Sequence, residues 1–389
     1  MRGMTTPAPP LRLHLDAPRR RSAGTLFVRG TPRARESVRV RLRDDNGLVG
    51  IGEALPLSGY SRDDAAAAER VLAAIAARVD GEGLCVPDDG PRCAPAFRSG
   101  AGDRGKGAAA RLDAALAPYA GLLASSVAAR FALECALLDL LARRAGLTAA
   151  QWLADGRALR PVPVSLLLPD DDRDAVAAAA AAVAAGFAVL KMKIARADRN
   201  EDAEDTLLAA VRAAMDAAGG AVPASLRLDA NGSLDPASAA HRLGALRRYG
   251  VELVEEPVAG PALLALPPLA QPWAADESLV DAALAQALLD LPPARRPAAL
   301  VLKPALLGLA TCLRLADAAA LRGVGVIVTH SLDGDLGHAA ARALAAALPD
   351  PPWPCGLASH AGLRKALPDR PWLPPPTTQG LGVVDEDEP

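Results

Sequence analysis

From residue 161 onward the chain alternates short apolar runs with alanine- and leucine-rich stretches of helix length. The runs cover residues 162–168, 187–193, 226–229, 251–255, 273–276, 299–303, 324–329 and 355–359. Eight such runs separated by helical segments describe parallel strands joined by crossover helices. A (β/α) barrel fits better than an open doubly wound sheet, because no glycine-rich phosphate turn follows the first run. Ahead of residue 55 the grammar is different. Leu11, Leu13 and Leu15 alternate with polar residues, as do Val38, Val40 and Leu42, which is the period of half-buried strands. Asp44-Asp45-Asn46-Gly47 marks a hairpin, so a three-stranded sheet is expected. Helices follow, one from Asp63 to about Val79 with Ser61 as N-cap and one from Ser126 to Arg144. Between them, residues 81–107 are rich in Gly, Pro and charge and read as a flexible insertion. The pattern divides the chain into an α+β segment over 1–155, a barrel over 156–365 and a proline-rich tail over 366–389.

Composition narrows the function classes. Hydrophobic residues make up 51% and charged ones 23%, enough for a large packed core. The formal net charge of −2 gives no electrostatic case for nucleic acid or an anionic membrane as partner. The alanine-rich stretches fall short of the ~20 apolar residues a spanning helix needs, and no apolar core of a signal peptide follows Arg19-Arg20-Arg21. The five cysteines are scattered; Cys85 and Cys93 flank a loop and could bridge, but an odd count argues against an oxidised framework. A cytoplasmic enzyme acting on a small molecule is the expectation, with oligomeric state left open.

Chemistry collects at the ends of the apolar runs, where a barrel places its active site. The second run ends in Lys191-Met192-Lys193. Two residues apart on a strand, these lysines share a side, and mutual repulsion with loss of solvation should hold at least one amine below its ordinary pKa. Such an amine is a proton-abstracting base. The next runs end in Asp229, Glu255 and Asp276, three carboxylates on consecutive strands that cannot all stay ionised in a dry cleft without a cation. A ligand set of oxygens alone suits a hard ion such as Mg2+, with Mn2+ as a substitute. The sixth run ends in Lys303, where a charge would be costly without a partner. A base, a metal and a facing ammonium together suit removal of a proton α to a carboxylate.

The ordered set Lys191-Met192-Lys193, Asp229-Ala230-Asn231, Val254-Glu255-Glu256-Pro257, Ala275-Asp276-Glu277-Ser278 and Leu302-Lys303-Pro304 resembles the muconate-lactonizing-enzyme subgroup of the enolase superfamily. Residues 52–61, Gly-Glu-Ala-Leu-Pro-Leu-Ser-Gly-Tyr-Ser, are similar to the specificity loop of o-succinylbenzoate synthases, and residues 126–134 to a helix of their capping domain. The resemblance implies a modified (β/α)7β TIM-type barrel under a capping domain built from the N-terminal segment and the tail. It implies one Mg2+ on Asp229, Glu255 and Asp276, with Lys193 as acid/base, Lys303 as stabiliser of the enediolate, and Lys191 tuning Lys193. Asn231 and Glu277 would orient the ligands or Lys303, while Ser58, Tyr60, Ser331 and Asp333 are candidate substrate contacts. The implied reaction is a dehydration in menaquinone biosynthesis; racemisation or epimerisation of N-acylamino acids or dipeptides, or cycloisomerisation, stays open. Two departures bear on this: Ser58 replaces a usual proline, and Asp333 and Asp335 bring negative charge to a loop that should meet a second carboxylate. His330 is either a substrate contact or a structural hydrogen-bonder.

Overall fold

A computed structural model describes residues 11–28, 31–82, 84–86, 106–219, 223–348, 353–361, 363 and 370–384. Five N-terminal strands form one antiparallel sheet: β1 (Leu11–Leu15), β2 (Arg19–Val28), β3 (Thr31–Asp44), β4 (Val49–Ala54) and β5 (Leu84–Val86). The sequence pattern gave three strands. Strand β2, which pairs along a β3 longer than expected, and β5 are the additions, and β5 arises inside the segment read as a flexible insertion, where it pairs with Leu11–Leu13. Most of that insertion, Cys93 included, lies outside the described residues.

Strand β4 lies directly on the helix Val127–Arg144, and two glycines make the approach possible. A Cβ on Gly52 would sit 1.9 Å from the carbonyl oxygen of Ala132, and one on Gly50 would sit 2.2 Å from that of Ala136. The helix starts where the sequence placed it, with Ser126 accepting from the amide of Ala129 at 3.0 Å. The first helix of the chain, Ala65–Glu82, is capped differently from expectation: Asp64 accepts from the amide of Ala67 at 2.7 Å, and the Ser61 hydroxyl instead accepts from the amide of Leu57. Asp64, nearer the first apolar turn, outcompetes the serine.

The barrel is the expected one. Seven parallel strands follow in sequence order, except that the first stave splits: β6 (Val162–Pro163) pairs with β14 (Trp372–Leu373), and β7 (Leu166–Leu167) begins the sheet. Then come β8 (Val189–Lys193), β9 (Ser225–Asp229), β10 (Val251–Glu255), β11 (Trp273–Ala275), β12 (Ala299–Leu302) and β13 (Gly325–Val328). Closure falls to residues 353–356, which bridge Val164 on one side and Thr329 on the other. Residue alternation along these strands decides the site. Leu253, Ala274, Ala299, Val301 and Ile327 pack together as a small cluster separate from the main core. Continuing the same period-two rows upward brings Glu255, Asp276 and Lys303 to one rim.

The tail returns to the N-terminal half. The amide of Leu381 donates to Asp139 on the helix Val127–Arg144 at 2.7 Å, and Gly380 bridges Thr148. Among the described residues no helix is long and apolar enough to cross a membrane.

Candidate active site

The three carboxylates predicted as metal ligands converge. Asp229, Glu255 and Asp276 are each at most 3% exposed and offer oxygens within 4.8 Å of one another. Each stands at the end of its strand, and the backbone turns sharply just beyond. Asn231 and Glu256 adopt the left-handed region, with φ of 45° and 40°, strain that a non-glycine residue holds only where the surroundings fix it. The turns are tied from within. The Asn231 amide donates to Asp229 Oδ1 at 2.9 Å, and Glu256 accepts from the amides of Asp276 at 2.7 Å and Ser278 at 3.1 Å.

The lysines divide into two kinds. Lys191 Nζ lies 2.9 Å from Asp229 Oδ2 and also pairs with Glu255. Lys303 Nζ lies 2.6 Å from Asp276 Oδ2, meets the Tyr60 hydroxyl, and stands 3.6 Å from Glu277 Oε1. Lys193 has no ion pair with any described residue. The expectation of a depressed lysine therefore needs correcting for Lys191. Burial alone would lower it, but Asp229 and Glu255 outweigh burial and hold the ammonium above its ordinary range. The same contest raises Lys303: burial opposes the charge, and Asp276, Tyr60 and Glu277 together outweigh it. The sequence argument counted the repulsion between neighbouring lysines and missed that the carboxylates of β9 and β10 stand closer.

These carboxylates fit a metal ion. Asp276 Oδ1 is buried with no hydrogen-bond partner among the described residues, and the Lys191 ammonium stands among the oxygens as a cation would. Burial pushes Asp276 and Glu255 upward in pKa, the neighbouring carboxylates add to this, and the lysine contacts, with Arg227 beside Glu255, oppose it. A divalent ion would remove that penalty, and an all-oxygen set suits a hard one.

Of the other expected residues, Asn231 and Glu277 meet each other at 3.1 Å, and Glu277 in turn faces Lys303. Tyr60 reaches the site from the turn at 57–61, which two backbone bonds to the Leu57 carbonyl close. Ser58 in that turn faces solvent and joins none of these contacts. Ser331 is 8% exposed with its hydroxyl unpartnered, and Asp333 is buried and accepts from the Ser331 amide at 3.0 Å. Burial pushes Asp333 up to about 6. This aspartate is thus folded into its own loop. His330 accepts from the amide of Leu332 at 3.1 Å, so it has a structural bond, yet its ring also lines a cavity of ≈ 200 Å³ with Lys191 and Glu255. The ring of His360 stacks on it at 3.7 Å between centroids.

Sequence reasoning passed over Arg227 and Glu256. Arg227 is fully buried below Asp229, paired to Glu252 at 2.9 Å and donating to the Pro354 carbonyl at 2.6 Å. It lies on the row Ser225, Arg227, Asp229, so the period-two alternation that placed Asp229 could have placed it too. Glu256 holds Asp276 and Ser278 in position, and burial pushes it up to about 7.

Comparison with known proteins bears on the family and the fold that carry this site. A family model described as Enolase C-terminal domain-like matches residues 174–388. Over 358 residues the chain is 32% identical to an o-succinylbenzoate synthase from Desulfotalea psychrophila, spanning 87% of this chain and 89% of that one. A crystal structure of MenC from the same organism superposes with a TM-score of 0.72 at 28% identity, covering 93% of this chain and 99% of that one. A dipeptide epimerase from Enterococcus faecalis V583 superposes with a TM-score of 0.74 at 22% identity, covering 96% and 99%, a likeness of fold alone. In sequence and in fold, the chain belongs to the enolase superfamily and is one of its enzymes.

Proposed function

We propose that this enzyme is an o-succinylbenzoate synthase, a lyase that dehydrates 2-succinyl-6-hydroxy-cyclohexadiene-carboxylate to an aromatic dicarboxylate in the cytoplasmic route to menaquinone. The observation that carries the chemistry is the division of the lysines: Lys191 and Lys303 are held by carboxylates, and Lys193 is not. Lys193 then takes the proton α to the substrate carboxylate. The C–O bond to the ring hydroxyl breaks, and the proton on Lys193 passes to the departing hydroxide, giving water. Lys303, oriented by Asp276 and Tyr60, sets its ammonium against the negative charge that develops on the carboxylate. Mg2+ on Asp229, Glu255 and Asp276 would supply further positive charge to that carboxylate. Asn231 and Glu277 keep Lys303 and the ligand turn in place, and Lys191 tunes the charge beside Lys193. In this reading residues 1–155 and the tail after 365 cap the barrel of 156–365. The substrate assignment leans on the o-succinylbenzoate synthase relative, whose alignment spans both parts of the chain.

Racemisation or epimerisation requires a proton carrier on each face of the substrate. Lys303 is the candidate for the second face, and its bonds to Asp276 and Tyr60 favour a fixed cation over a proton shuttle. The test is to incubate the protein and Mg2+ with the cyclohexadiene substrate, following aromatic product, and separately with an N-succinylamino acid in D2O, following deuterium wash-in. The proposal expects rapid aromatisation. Exchange without dehydration would replace the synthase reading with a racemase.

A further inference from the structure

His330 is half-buried in the loop after β13, and its two ring nitrogens stand in different surroundings. Nδ1 accepts from the amide of Leu332 at 3.1 Å. Nε2 bonds to no described residue and keeps solvent access. One face of the ring is covered by His360, whose centroid lies 3.7 Å away. What the ring offers to the ≈ 200 Å³ cavity it lines with Lys191 and Glu255 is therefore its Nε2 edge.

The loop holds the ring in that attitude. The His330 amide donates to the Gly356 carbonyl at 3.3 Å, and the Ser331 amide to Asp333 at 3.0 Å. Leu332 has φ of 59°, a left-handed backbone that a leucine keeps only where its neighbours fix it. Those bonds settle the chemistry of the ring. A nitrogen that accepts from an amide carries no proton, so the proton of the neutral ring sits on Nε2. Protonating Nδ1 as well would set one N–H against another. Burial also opposes the charge, and His360, His338, Lys303 and Lys191 join it in holding the pKa well below the ordinary value. With its one ring lone pair engaged by Leu332, His330 has no place to accept a substrate proton.

The rest of the cavity shows what such a donor is for. Lys191 and Glu255 mark the end where the reacting carboxylate and a metal belong, and Val301, Ile327 and Leu332 are apolar. The Thr329 hydroxyl, which also lines the cavity, is spent on the Gly356 carbonyl at 3.1 Å. A neutral N–H suits a neutral oxygen, whereas a carboxylate is drawn to the ammonium groups. We infer that His330 donates its Nε2–H to a neutral acyl oxygen of the substrate and carries no proton in the reaction. The inference deepens the synthase reading and rests on it, since that substrate bears a ketone oxygen on its succinyl arm. It also selects a substrate class, carboxylates with a ketone or amide carbonyl, over dicarboxylates that lack one.

Calorimetric titration of the Mg2+-loaded protein compares o-succinylbenzoate with its deoxo analogue, in which CH2 replaces the ketone. Wild type should prefer the ketone by about tenfold, the cost of one unmet buried hydrogen bond. His330→Asn, whose amide reaches only the place of Nδ1, should lose that preference and bind the deoxo compound within about twofold of wild type. His330→Gln, whose amide reaches the place of Nε2, should keep most of it. Nitrogen-15 NMR of histidine-labelled protein without ligand should show His330, assigned by its absence from His330→Asn, as the Nε2–H form at neutral pH. A proton on Nδ1 would overturn the inference. Equal weakening of both ligands by His330→Asn would do so too, and would make the ring a brace for its loop. Should wild type bind neither compound, the synthase reading fails by itself. The pair then becomes an N-succinylamino acid and its thioamide, whose sulfur is the poorer acceptor. Retention of the oxygen preference in His330→Asn overturns the inference independently, as does a wild type that binds none of the four.

Discussion

Replacing Lys191 by methionine separates its two roles, counter-charge of the carboxylates and competitor of the metal. The ammonium sits 2.9 Å from Asp229 Oδ2 and pairs with Glu255 as well, while its side chain is 19% exposed. Removing one partner of a buried ion pair leaves the other charge uncompensated and costs ~3–5 kcal/mol. The residual exposure puts Lys191 at the low end, ~3 kcal/mol, and three carboxylates then face Lys303 alone. With saturating Mg2+ the loss should largely vanish, because the ion takes over as counter-charge without displacing the lysine. The same difference appears in affinity: ~3 kcal/mol corresponds to ~100-fold tighter Mg2+ binding in the variant. Thermal melts in EDTA and in Mg2+, with calorimetric titration of the metal, read both effects. A melting point equally lowered in both buffers, with unchanged Mg2+ affinity, would refute the claim that Lys191 and the metal share one carboxylate cage.

EDTA should abolish turnover and lower the melting temperature, with Mg2+ restoring both; activity that survives chelation would contradict the metal site. Glu134 is fully buried, and burial pushes it up to about 7, so folding takes up a proton there and the stability it contributes falls as pH rises toward that value. Glu134→Gln should therefore gain ~3 kcal/mol on wild type between about pH 5 and about pH 8, read by denaturant titration at each; a difference constant with pH would contradict this. Gly52→Ala forces a methyl to within 1.9 Å of the Ala132 carbonyl and should destabilise by ~3 kcal/mol through overpacking. A variant melting with wild type would show that β4 does not lie against the helix as described.

The barrel and the carboxylate cluster at its rim were legible because they follow from period-two alternation. Once residues 251–255 and 299–303 are strands, Glu255 and Lys303 must end on the same rim as Leu253 and Val301 beneath them. What the pattern could not carry was distance across strands. The pairing of Lys191 with β9 and β10 keeps that ammonium charged, where the repulsion from Lys193 alone pointed downward for one lysine of the two. Strand β2 and the first half of β3 were hidden because the stretches from Arg19 and from Arg33 are arginine-rich and show no apolar alternation. Glu256 was passed over as a neighbour of Glu255, since a glutamate at φ of 40° gives no sign of its strain in sequence.

The central claim is that Lys193 carries the proton. Aromatisation of the cyclohexadiene substrate by Lys193→Ala, measured in a preparation whose Mg2+ affinity and melting temperature match wild type, tests it most directly. The account predicts that kcat falls by about three orders of magnitude or more, the worth of a positioned acid/base, while metal binding stays intact. Turnover near the wild-type rate would contradict it and leave the elimination to some other base.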